Sequence, residues 1–131
     1  MKKALKGLGI ALAAMAVILA AAGFKLSRDA QAALAALPHE TIDMGRVADG
    51  MYPGEADAGL VFVRVSVEVQ DHAVRDIRIL EHKNGRGGAA EAITAAMVAA
   101  NSWDVNAVSG ATLSSEAIKS AVSKALKQGE D

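Results

Sequence analysis

The sequence predicts an α+β fold, a small antiparallel sheet with helices packed on it, preceded by an N-terminal transmembrane helix. Three observations carry that prediction. Val61, Val63, Val65, Val67 and Val69 alternate with Phe62, Arg64, Ser66, Glu68 and Gln70, the period of a strand with one buried face and one wet face. The stretches Ala89–Ala100 and Ser114–Lys127 have apolar residues at helical spacing, and they follow the strands rather than alternate with them. An uncharged run from Gly7 to Phe24 stands behind Lys2, Lys3 and Lys6.

That run would span about 27 Å as a helix, close to a bilayer core of about 30 Å. A cleaved secretory signal and an uncleaved signal-anchor compete for it. Ala20-Ala21-Ala22-Gly23 offers small residues for cleavage. The apolar run, however, exceeds the usual signal core of about 7–15 residues, which favours the anchor. The lysines favour an N-terminus that stays in the cytoplasm. The expectation is a single-pass plasma-membrane protein with its domain outside the cytoplasm.

Leu26–Leu37 reads as a short alanine-rich helix stopped by Pro38. His39–Val47 has no clear period and reads as a linker. The chain divides into an anchor (1–25), a juxtamembrane helix and linker (26–48) and a folded domain (49–131). Within the domain, Pro53 and Gly54 make Gly50–Asp57 a short or edge strand. Leu60–Gln70 is the clearest strand. Asp71-His72 turns the chain, and Ala73–Glu81 returns with Ile77 and Ile79 on one face. Asn84–Gly88 is a glycine-rich loop before the first domain helix. The last helix has Ala117, Ile118, Ala121, Val122 and Leu126 as its buried stripe, with Lys124 and Lys127 near its favourable C-terminal end.

Composition narrows the functions. At 131 residues the chain holds one domain beside its N-terminal segment. A net charge of −1 gives no electrostatic case for nucleic acid. The absence of cysteine excludes disulfides, thiolate metal sites and covalent haem. His39, His72 and His82 have no paired metal-ligand spacing, so no metal site is expected. No residue pair suggests a nucleophile with its base, so no catalytic residue is assigned.

The most informative stretch is Asn106-Ala107-Val108-Ser109-Gly110-Ala111-Thr112-Leu113-Ser114-Ser115-Glu116. It places a Gly-Ala pair between hydroxyl residues just before a helix. A helix start offers free N–H groups and the positive end of the dipole, which attract phosphate. Gly110 has no Cβ to keep a bulky anion away. Read on its own, the stretch is equally an ordinary helix cap after a turn.

Four segments in order change that balance: Asp49-Gly50-Met51-Tyr52-Pro53-Gly54, a hairpin, Glu81-His82-Lys83-Asn84-Gly85-Arg86-Gly87-Gly88, and the Ser109-Gly110-Ala111-Thr112 element. From Asp49 to Lys127 the chain resembles the FMN-binding domain family. That family includes the flavin-carrying subunits of ion-translocating NADH:quinone-type oxidoreductases. The resemblance implies FMN as cofactor, bound either reversibly or covalently. In members with covalent flavin, a separate flavin transferase esterifies the last threonine of S-G-A-T to the FMN phosphate. Here that residue is Thr112. Asn106 stands where the recognition pattern usually has aspartate.

The resemblance marks Ser109, Gly110, Ala111 and Thr112 for the phosphate, and the bare backbone of Gly87 and Gly88 for a ring face. His82 would stack on the ring or hydrogen-bond to it, against an alternative as a solvent-facing loop histidine. Arg86 would meet the phosphate or a ring carbonyl. Trp103 reads as packing between helices or as a ring contact. Glu116 reads as a stabiliser of the helix start. The implied role is a membrane-anchored relay of electrons to a redox partner or membrane complex. A non-redox binding module that keeps the fold without flavin is the alternative, and a free-standing flavin reductase lacks a nicotinamide site.

Overall fold

The valine alternation becomes the middle strand of a three-stranded antiparallel sheet in the computed structural model, which describes residues 2–59, 61–83 and 88–130. In chain order the elements are α1 (Lys2–Ala36), a 3₁₀ turn (Met44–Arg46), β1 (Gly50–Asp57), β2 (Phe62–Gln70), β3 (Ala73–Lys83), a 3₁₀ segment (Gly88–Ala92), α2 (Ile93–Ala100) and α3 (Thr112–Gly129). Residues 1–32 and 33–131 form two compact units.

The predicted apolar run and the predicted short helix form one continuous helix, which ends at Ala36. From residue 9 to 24 its side chains are exposed, Ile10, Val17, Leu19 and Phe24 among them. Among the described residues no helix is long and apolar enough to cross a membrane. The run read from the sequence includes Leu8, whose side chain is not among them.

In the second unit the sheet order is β1-β2-β3, so β1 lies at an edge, as its proline and glycine predict. Val63, Val65, Val67 and Val69 are buried on the inner face of β2, where α3 covers β1 and β2 and α2 packs beside β3. The predicted stripe of α3, Ala117, Ile118, Ala121, Val122 and Leu126, meets them fully buried. Burying each valine or leucine contributes about 1.5–3 kcal/mol. Gly54 brings α3 close: a Cβ there would run into the Ala121 carbonyl and the Ala125 side chain. The outward carbonyls of Pro53 and Glu55 accept from Gln128 Nε2 (2.6 Å) and Lys124 Nζ (3.0 Å), which seals part of the exposed edge.

The Asp71-His72 turn holds both residues at positive φ, 54° and 60°. Neither is glycine, so the surrounding structure must hold them there. Asp49 Oδ1 accepts the Asp71 N–H (2.8 Å), and Asn101 binds both His72 O and the Val74 N–H. Register shifts place an extra residue in β3 at Arg75 and at Leu80. The second shift reverses the face of the residues after it. His82 pairs with Val63 and turns to the inner side, while Leu80 is exposed.

The segment before β1 packs onto the domain. Leu37 and Val47 are buried, the Ser120 hydroxyl donates to Pro38 O, and Ser123 Oγ accepts the Glu40 N–H (3.2 Å). At the far end of α3, Val47 and Glu130 form an isolated bridge. Two helix starts also differ from the sequence reading. The stretch after the glycine loop opens as a 3₁₀ segment, and α3 starts at Thr112 rather than Ser114.

Candidate functional site

The Ser109–Thr112 stretch folds as a tight turn that feeds directly into α3. The Ala111 N–H donates to Val108 O (3.0 Å), and Gly110, second of the two central residues, has φ 81°. That is the backbone of a type II turn, in which glycine avoids a Cβ clash. Open space surrounds the position where a Gly110 Cβ would stand. Ser109, Gly110 and Thr112 are exposed, while Ala111 is buried.

The first intrahelical bond runs from Ser115 N–H to Ala111 O (2.9 Å). The amides of Thr112, Leu113 and Ser114 precede it, and no side chain caps this end of the 18-residue helix. Alanine occupies the N-cap position, although it is among the poorest residues there. Four hydroxyls surround the position without capping it. Ser115 is fully buried and accepts the Val108 N–H (2.9 Å). The helix therefore starts with uncapped amides beside an exposed threonine and a glycine turn. The free amides and the positive end of the helix dipole suit an anion.

One turn along α3, Glu116 is held by two partners, His39 and Lys119. His39 Nε2 lies 3.1 Å from one carboxylate oxygen, and Lys119 Nζ lies 3.3 Å from the other. Lys119 also reaches Asp104 (3.7 Å) and lies 5.8 Å from the Trp103 ring. His39 stacks on Trp103 with ring centroids 5.3 Å apart. Because α3 starts at Thr112, Glu116 lies past the first turn, and these side-chain partners rather than the helix dipole hold it. Trp103 packs against a histidine from the segment before the sheet, a contact that nothing in the local sequence pattern announces.

His82 is not a solvent-facing loop histidine. It lies within β3 with its side chain only 3% exposed, and Nδ1 is 3.7 Å from Glu91 of the 3₁₀ segment. That segment packs against α3, so His82 and the helix carrying Thr112 share one neighbour. Gly88 is exposed at the start of the 3₁₀ segment. Arg86 and Gly87 lie outside the described residues. Ser109, Gly110, Ala111 and Thr112 thus lie in one turn, and His82 lies in β3 beside the 3₁₀ segment.

A cavity of about 390 Å³ lies elsewhere, lined by Pro53, Gly54, Glu55, Arg64, Lys124 and Gln128. Lys124 and Gln128 follow Thr112 by about 18–24 Å along the helix. The polar groups of this cavity are already engaged: Lys124 and Gln128 with the β1 carbonyls, and Arg64 with Glu55 and Glu81 at 3.6 Å each. It is a surface cleft beside a sealed sheet edge, remote from the helix start.

The profile of the FMN-binding domain family matches residues 59–127, more than half of the chain. The chain belongs to the FMN-binding domain family. FMN is accordingly its cofactor. The match includes His82, the glycine loop and the whole Ser109–Thr112 turn, and it leaves out β1 and His39. Neither a curated protein nor a solved structure matches the chain. In this FMN-binding domain, the uncapped start of α3 is where the residues present suit the phosphate. Sequence reasoning misses the parts played by Ser115 and His39; a serine at the fourth helical position is the one hint, and it applies to Ser115 alone.

Proposed function

We propose that the chain is a membrane-anchored, extracytoplasmic FMN domain that relays electrons within a larger redox complex. The uncapped start of α3, inside the matched region, carries the placement of the cofactor. The amides of Thr112, Leu113 and Ser114 hold the phosphate, and Gly110 leaves it room. Thr112 Oγ1 is exposed at the same point and suits a phosphoester link made by a flavin transferase. Gly87, Gly88, Arg86 and His82 then serve the ring, His82 from the buried end of β3. Bound FMN supplies one- and two-electron chemistry, while the protein orients it and sets its surroundings.

The anchor rests on the uncharged run within α1, whose described side chains from residue 9 to 24 are exposed and which stands behind Lys2, Lys3 and Lys6. A soluble helix would show one apolar stripe. Asn106 favours reversible over covalent attachment, since it keeps the shape of the usual aspartate without the charge that a transferase can pair with. A module without redox function remains the second reading on the same ground.

Absorbance of the purified chain and intact mass after co-expression with a flavin transferase test the site together. Yellow protein with an added FMN-phosphoryl mass on the wild type or on Asn106→Asp, absent from Thr112→Val, is the expected result. Added mass that persists in Thr112→Val moves the attachment elsewhere. Colourless protein throughout, in FMN-supplemented buffer, favours the non-redox module. Protease added to intact spheroplasts should digest the domain; protection until lysis overturns the topology.

A further inference from the structure

Ser115 ties both ends of the Val108–Ala111 turn to the second turn of α3. Its Oγ accepts the Val108 N–H (2.9 Å), and its own N–H donates to Ala111 O (2.9 Å). The turn between them is closed by the Ala111 N–H to Val108 O bond and carries Gly110 at φ 81°. Ser115 is fully buried, so solvent does not compete for its hydroxyl. Capping of the first-turn amides falls to the N-cap residue, here Ala111, which has no hydroxyl. The Ser115 hydroxyl is committed to the loop, and the amides stay uncapped.

From this geometry we infer that Ser115 is a positioning residue for phosphate recognition. It has no contact with the anion. It fixes the turn so that Ser109 and Gly110 stand clear and the amides of Thr112, Leu113 and Ser114 converge on one point. Without the bond, the Val108 N–H loses a buried acceptor and the turn is free to rotate toward the amides. Anion recognition should then weaken far more than ring recognition. The inference rests on the phosphate site proposed above.

The test is the ratio of riboflavin to FMN dissociation constants, measured by flavin fluorescence on the full chain produced without a flavin transferase. The two ligands differ only in the phosphate, so the ratio isolates it from general loss of fold. The wild type should prefer FMN strongly. Ser115→Ala should weaken FMN by about tenfold or more and leave riboflavin nearly unchanged. Ser123→Ala is the structural control. Ser123 is equally buried on the same helix and bonds Glu40 N–H and Ser120 O, away from the turn. It should lower the melting temperature while keeping the FMN preference. Ser115→Cys, similar in size with a weaker acceptor, should give an intermediate ratio, and it carries the comparison if the alanine variant does not fold. A wild-type ratio retained in Ser115→Ala, or equal loss in Ser123→Ala, overturns the positioning role. A wild type that binds riboflavin as well as FMN instead overturns the phosphate site, whatever Ser115 does.

Discussion

The two ends of α3 contrast sharply in how they use their polar groups. At the C-terminal end every partner is supplied by the chain. Gly129 O accepts the Ala48 N–H (2.9 Å), and Gln128 and Lys124 bond the carbonyls of β1. Glu130 accepts from the Asp43 N–H (2.9 Å) and from Lys127 Nζ (3.1 Å). At the N-terminal end an alanine takes the capping position, Ser109 and Thr112 are exposed, and the Ser115 hydroxyl is committed to Val108. One helix thus has an end built for the fold and an end that no side chain caps, which the proposed function gives to the FMN phosphate. Satisfied polar groups mark stability. An uncapped helix start within a matched cofactor domain marks function.

The largest test strikes the structural end. Gly54→Val places a side chain against the Ala121 carbonyl, which is backbone and cannot rotate away. Overpacking commonly costs about 1–3 kcal/mol, and a backbone clash lies at or beyond the upper limit. Calorimetry should show a melting temperature lowered by about 10 °C or more, or no cooperative transition at all. A near-normal transition would mean that α3 does not press on β1 as closely as described.

Next in size is a substitution that should move the two properties in opposite directions. Ala111→Ser gives the open end the cap it lacks. Restoring a hydroxyl N-cap is worth about 1 kcal/mol to the protein without flavin. The same hydroxyl occupies amides that the phosphate needs, so FMN affinity should fall. Thermal melts and flavin titration on one preparation read both effects. A gain in both, or a loss in both, would break the distinction between the two ends.

The same contrast explains what the sequence made legible. The valine alternation and the stripe of α3 are repeated patterns set by burial, so the sheet and its covering helix could be read directly. The Ser109–Thr112 turn was legible as a candidate because glycine and hydroxyl residues cluster within a few positions. The bulge at Leu80 was not, because one extra residue leaves no local trace, and it alone turns His82 inward. Nor was the packing of residues 37–48, which depends on isolated contacts such as Leu37, Val47 and the buried hydroxyls of Ser120 and Ser123. Serines at 114 and 115 resemble caps in sequence and thereby misplaced the helix start by two residues. Long-range contacts, not local propensity, decide such positions.

The smallest effect belongs to Glu130, which closes the structural end. The Asp43 N–H bond is the main cause holding its carboxyl below the ordinary value of 4.5, with Lys127 and Arg46 adding attraction. A depressed folded value means that the charged form stabilises the fold. That contribution is complete above about pH 4.5 and is lost as pH falls through the lowered folded value. Glu130→Gln keeps an oxygen for the Asp43 N–H and removes the charge. Its melting temperature should lie slightly below the wild type at neutral pH, and the two should converge in acid. High salt should narrow the neutral-pH gap, because Lys127 and Arg46 act partly through solvent. FMN affinity should not change, since Glu130 lies at the end of α3 opposite Thr112. A gap that stays constant into strong acid would show that shape rather than charge holds this end. An altered FMN affinity would show that the two ends of α3 are coupled.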